Sequence, residues 1–139
     1  MANEKFPLAR VPSLRTIAMP ADANPGGDIF GGWIMSQMDL AGAIHASYRV
    51  LNRIVTVAVE SMKFHLPVYV GDQVSCFCET RQIGTTSISV HIETWVRRRE
   101  ENQEYRKVTE ATYTYVAIGK NRKPVPIHLR ESHDQVGDG

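Results

Sequence analysis

Cysteine is scarce in this 139-residue chain: there are two, Cys76 and Cys78, one residue apart in VSCFCET. A C-x-C pair on a strand makes a strained disulfide and supplies at most half of a tetrahedral zinc site. With no second cysteine pair and five scattered histidines, no metal site is expected, and the two thiols read as small buried apolar groups. Excess charge of one sign is also missing. A formal net charge of +1 gives no general pull toward nucleic acid or anionic membrane, so neither is an expected partner. No apolar run reaches the ~20 residues of a spanning helix. The opening MANEKFPLARVPSLR lacks the apolar core of a secretory signal, which makes the cytoplasm the expected compartment. A G-x-S-x-G elbow and a phosphate-binding G-x-x-x-x-G-K-[ST] loop are both absent, which argues against a serine hydrolase and a P-loop nucleotide hydrolase.

What is present reads as one domain over residues 1–139, with a core from about 13 to 126 and a loose polar tail from His128. A short strand is expected over Ser13–Met19. ADANPGGDIFGG then marks a loop and a helix start. The helix should run from Ile29 or Gly32 to near Val50. Ile34, Met35, Met38, Ala41, Gly42 and His45 or Ala46 follow the helical period on its buried face. Beyond Asn52 the period falls to two. Ile54–Leu66 puts Val55, Val57 and Val59 on one face; DQVSCFCETRQ and SISVHIETWVRRR follow, and YRKVTEATYTYVAIG closes the series. In the third of these, Ile88, Val90, Ile92 and Val96 oppose Ser89, His91, Glu93 and Trp95. One long helix followed by antiparallel strands on short turns is an α+β pattern, a sheet wrapped around the helix. Its open edges and uncovered face imply association between chains.

One residue in the helix needs explaining. Within GGWIMSQMDLAGAIHA, Asp39 is the lone carboxylate in an apolar segment, which costs helix propensity and, if buried, hydration. The small Gly42 and Ala43 at i+3 and i+4 are expected to leave room beside it for water or substrate. A buried structural aspartate, paired with an arginine or a helix terminus, is the alternative. His45, six residues on, lies nearly opposite and makes a poor dyad partner.

IAMPADANPGGDIFGGWIMSQMDLAGAIHA, VTVAVESMKFHLPVYVGD and GTTSISVHIETWV, in that order, resemble the hotdog-fold acyl-CoA thioesterases, most closely the short bacterial YciA-type acyl-CoA thioester hydrolases. The likeness covers about Leu14 to Pro126 and rests on N-P-G-G-D-I-F-G-G, M-D-x-x-G and G-T-T-S together. It implies a curved antiparallel sheet around a central helix, and hydrolysis of acyl-CoA to free acid and CoA without metal or organic cofactor. It also implies a homodimer with sites at its interface, and a trimer of dimers beyond that.

The resemblance places Asp39 at the catalytic acid position, where it would either activate water against the thioester carbonyl or attack that carbon itself. Asn24 matches a second active-site position, with the role of a turn residue as its alternative. Asn24 and Asp39 of one site are expected from different protomers. Gly31 and Gly32 would present backbone N–H groups to an oxyanion, or serve close packing. Phe30, Trp33 and Phe64 are candidates to shape the acyl site; Ser61 and Thr56, on the strand after the helix, would border the thioester or, as polar strand residues commonly do, face solvent. Gly84, Thr85, Thr86 and Ser87 match the family's CoA-contacting turn, with an ordinary hairpin turn as the alternative. Arg97, Arg98 and Arg99 are candidates for CoA phosphates, with a solvated charge cluster near a hairpin end as the alternative. Two rival readings stand beside hydrolysis. A hotdog acyl-thioester dehydratase would want a histidine near the helix, and none suits. A non-catalytic acyl-CoA-sensing module would hold its ligand intact.

Overall fold

The computed structural model describes residues 5–98 and 104–131. Strand β1 spans Leu14–Ile17, and a 3₁₀ turn at Pro20–Asp22 leads through the Gly-rich loop into helix α1, Gly31–Ser47. Four longer strands follow: β2 at Arg53–Phe64, β3 at Gln73–Ile83, β4 at Ser87–Arg97 and β5 at Tyr105–Ile118. They form one antiparallel sheet in the order β1-β3-β4-β5-β2. β1 and β2 occupy opposite edges, so the helix between them must cross the sheet face. That crossing is the expected α+β architecture.

Alternation in β4 works as the sequence implies: Ile88, Val90, Ile92 and Val96 are buried against Ile34, Met38, Ala41 and Ala46 of the helix. Cys76 and Cys78 share this core. Burial pushes their thiols up to about 12 and about 11 respectively, as expected of packing groups rather than nucleophiles. Met35 departs from its expected place. It is exposed, along with Leu40, Ile44 and Tyr48, because the apolar helix has more than one greasy side and the sheet covers one of them.

β2 departs from strict alternation. Its pairing to β5 slips between Thr56 and Ala58 and again between Glu60 and Lys63, and Ser61 takes a φ of 57°. Each slip re-aims the residues beyond it. Val57 is thereby exposed, while Ile54, Val59 and Met62 pack on the core. The far side of β2 has no strand partner among the described residues.

The outer sheet face is not bare. Phe6 stacks on Tyr105 with ring centroids 3.7 Å apart and meets Phe77 and Trp95 edge-on. Arg10 donates to the Cys78 carbonyl at 2.7 Å. This strap buries Phe77 and Trp95 although they point away from the helix, and it extends the folded unit N-terminal to residue 13. The tail is likewise tied at its start: Leu129 bridges to Val50, and the His128 N–H donates to Asn52 Oδ1 at 2.7 Å.

Candidate active site

Asp39 lies in the third turn of α1, half-buried, on the side turned toward β2. The Thr56 hydroxyl of β2 donates to its Oδ1 at 2.6 Å. One carboxylate oxygen is thus fixed by a neutral donor, and among the described residues no cation is paired with the group. The ion-pair alternative therefore does not describe it.

The helix is pinned beneath Asp39. Tyr115 donates to the Asp39 backbone carbonyl at 2.9 Å, and Tyr113 does the same to Met35, one turn earlier, at 2.8 Å. Burial, and then the negative charge of Asp39, push both phenols well above the usual tyrosine range, so they remain donors. A Cβ on Gly42 would stand 2.2 Å from the Tyr115 hydroxyl and 2.8 Å from Ile92 Cδ1. The room expected beside the carboxylate at Gly42 is therefore filled by Tyr115. The glycine lets helix and sheet approach.

Asn24 is organised by its own loop. Its Oδ1 accepts from the N–H groups of Gly26 at 2.9 Å and Asp28 at 3.2 Å, an Asx-type turn. Nδ2 has no partner among the described residues, so what the side chain offers outward is a donor. The loop is anchored where Ile29 N–H meets the Val68 carbonyl and Phe30 N–H meets that of Asp22. It delivers Gly31 and Gly32 to the helix start, whose N–H groups have no intrahelical acceptor. Close packing does not account for these glycines. A Cβ on Gly31 would sit at an ordinary 3.5 Å from the Phe64 ring, and one on Gly32 would meet nothing within 4 Å. Phe30 and Phe64 are exposed, and Trp33 packs on the core edge.

The remaining candidates separate. Gly84–Ser87 forms the β3–β4 turn, closed by Gly84 N–H on the Ser87 carbonyl; Thr85 and Thr86 carbonyls accept from Ile127 and Ala117. Ser87 and Ile88 pair with Val116 and Tyr115, and Tyr115 also pairs with Thr56, which puts this turn at the Asp39 end of the sheet. Arg97 lies at the other end of β4, roughly 33 Å away at ~3.3 Å per residue. Arg98 is turned inward: its Nε meets Asp72 Oδ2 at 3.2 Å, Nη2 donates to the Pro67 carbonyl, and the guanidinium lies 4.6 Å from the Tyr69 ring centroid. It pins the turn before β3 to the end of β4 and presents no open fork to a phosphate. Arg99 lies outside the described residues.

Ser61 lines an open cavity of about 480 Å³ with Lys63, His65, His91 and Glu110. His91 alternates with the helix-facing Val90 and Ile92, so this cavity is on the outer sheet face, away from Asp39. Of the two β2 hydroxyls, Thr56 is the one that reaches the carboxylate. His45 is buried and bonded to Thr80 Oγ1 at 2.8 Å, not to Asp39. Among the described residues no cluster of three or more His, Cys, Asp or Glu side chains could hold a metal ion.

Residues 26–102 match the model of the thioesterase superfamily. The chain is 53% identical over 120 residues to the acyl-CoA thioester hydrolase YciA of Salmonella typhimurium, covering 84% of this chain and 90% of that one. It is 54% identical over 114 residues to the Escherichia coli YciA, covering 80% and 86%. Among solved structures it superposes on HI0827, described as a hexameric broad specificity acyl-coenzyme A thioesterase, with a TM-score of 0.83, 46% identity and coverage of 90% and 86%. The hexameric thioesterase y2039 of Yersinia pestis gives 0.81, 45%, 89% and 99%. A one-helix antiparallel sheet carrying these motifs, together with these likenesses, identifies the chain as a member of the thioesterase superfamily with the hotdog fold, in its YciA-type acyl-CoA thioester hydrolase branch.

Proposed function

We propose that this chain hydrolyses acyl-CoA thioesters to free acid and CoA, with Asp39 as the acting carboxylate. The observation that carries the reading is the Asp39 side chain itself, held at Oδ1 by Thr56 with no cation paired to it among the described residues. Through Oδ2 it takes a proton from water as the water oxygen bonds to the thioester carbon. The tetrahedral oxyanion collapses, the carbon–sulfur bond breaks, and the proton returns to the leaving thiolate. Direct attack by Oδ2 reaches the same products through an anhydride that water then opens. Hydrogen-bond donors at the oxyanion are worth ~3 kcal/mol each in such chemistry, and the helix-start amides of Gly31 and Gly32 and the Asn24 amide are the available donors.

Asp39 stands eight residues into the helix from Gly31, about 12 Å along its axis. Asn24 and those amides therefore serve the Asp39 of a partner protomer, and the dimer is required for activity. Two features support pairing: among the described residues the β2 edge lacks a strand partner, and Leu40, Ile44 and Tyr48 of α1 and Val57 of β2 are exposed apolar side chains. Hexameric assembly and broad acyl specificity are proposed by likeness to the relatives so described. Neither step calls for a metal or organic cofactor. No helix among the described residues is long and apolar enough to cross a membrane; a cytoplasmic location remains part of the proposal. The test is CoA release from a panel of acyl-CoAs, with bound acyl-CoA followed in parallel: a sensing module would retain the thioester intact.

A further inference from the structure

The M-D-x-x-G pattern has a physical partner on β5. Gly42 is three residues beyond Asp39, on the same side of the helix, and the Tyr115 hydroxyl lodges in the space its missing side chain leaves. From there it reaches the Asp39 carbonyl. A helical carbonyl already accepts one bond from residue i+4, and its second lone pair is ordinarily left to solvent. Here the second acceptor site is taken by a buried phenol, which is kept protonated by burial and by the carboxylate's charge. The bond anchors the helix turn that carries Asp39 against a local roll, as the Tyr113 bond anchors the turn at Met35. With side-chain atoms ~5–6 Å from the helix axis, a 10° roll moves the carboxylate by about 1 Å. Displacements of that size at a reacting group cost up to about a hundredfold in rate.

We propose that Tyr115 is a positioning residue for the reaction, holding Asp39 in register with Thr56 and the thioester through the Asp39 backbone. The proposal rests on the reading of Asp39 as the acting carboxylate. Tyr113 supplies an internal comparison. It makes the same kind of bond from the same face of β5, with its ring 6.5 Å from that of Tyr115, but to Met35.

The experiment compares Tyr115→Phe with Tyr113→Phe, both of which keep the ring and its packing. The two should lose similar thermal stability. Tyr115→Phe should lower kcat about 3- to 30-fold with KM for an acyl-CoA within about twofold, while Tyr113→Phe keeps kcat within about twofold of native. In an Asp39→Ala background, removing the Tyr115 hydroxyl should cost no further activity. Native kcat in Tyr115→Phe, or equal kcat losses in both phenylalanine variants, would overturn the proposal. Native turnover by Asp39→Ala would instead overturn the reading beneath it, and the two failures are therefore told apart.

Discussion

An alanine at position 42 would set a methyl carbon 2.2 Å from the Tyr115 hydroxyl and 2.8 Å from Ile92 Cδ1. On helix propensity alone Gly42→Ala should stabilise by about 1 kcal/mol. Against that stands overpacking, which costs ~1–3 kcal/mol in a dense core. Ile92 can relieve part of it by changing rotamer; Tyr115 cannot, since its ring is buried and its hydroxyl tethered to the Asp39 carbonyl. Moving it sacrifices a hydrogen bond worth about another 1 kcal/mol. The net expectation is a loss of ~1–3 kcal/mol, or a fall in melting temperature on the order of 4–12 °C for a chain of this size. The assay is thermal unfolding at one fixed protein concentration, because association contributes to stability. A double-mutant cycle sharpens it. In a Tyr115→Phe background the nearest remaining ring atom is Cζ at 3.0 Å, so Gly42→Ala should cost roughly 1 kcal/mol less there than in the native background. A Gly42→Ala protein that melts at or above the native temperature would refute the reasoning, since the propensity gain would then be unopposed.

Mixing inactive Asn24→Ala and Asp39→Ala protomers by co-refolding should restore about a quarter of native activity per site, because half of the randomly formed dimers carry one intact site; no recovery would show that both residues act within one chain. Cys76 and Cys78, with thiols raised by burial, should resist a thiol reagent in the native protein and react when urea unfolds it. Glu110 has its carboxyl held below the usual range chiefly by the Lys107 ammonium at 2.6 Å, and also by His91. Its contribution to stability is therefore complete above the unfolded carboxylate value of ~4.3 and fades as pH falls through the lower folded value. Glu110→Gln should flatten the acid limb of urea midpoints measured between about pH 3 and 6 while lowering them at neutral pH.

The helix, the four long strands and Asp39 were legible in the sequence, because periodicity and one misplaced charge are local signals. What was not legible depends on residues far apart in the chain. Alternation assigned Val57 to the same face as Val55 and Val59, but a bulge exposed it, and bulges leave little trace in composition. Trp95 and Phe77 alternate as outward residues yet are buried, because Phe6 folds back over them from about 70 to 90 positions away. Arg98 carried the same charge as its neighbours, and only the arrival of Asp72 and Tyr69 decided that it faces inward. The tyrosines of YTYVAIG have hydroxyl partners that are carbonyls on the helix, a relation that pattern reading does not reveal. Gly42 was read as space for substrate because sequence shows a missing side chain and not what fills the gap.

The central claim is that the Asp39 carboxylate drives thioester cleavage. The direct measurement is CoA release by native protein and Asp39→Ala at saturating acyl-CoA, with binding of the intact thioester measured on both. The account predicts a fall in kcat of ~10²–10⁴ with binding retained. Turnover unchanged in the variant, or native protein that binds acyl-CoA and never releases thiol, would contradict it.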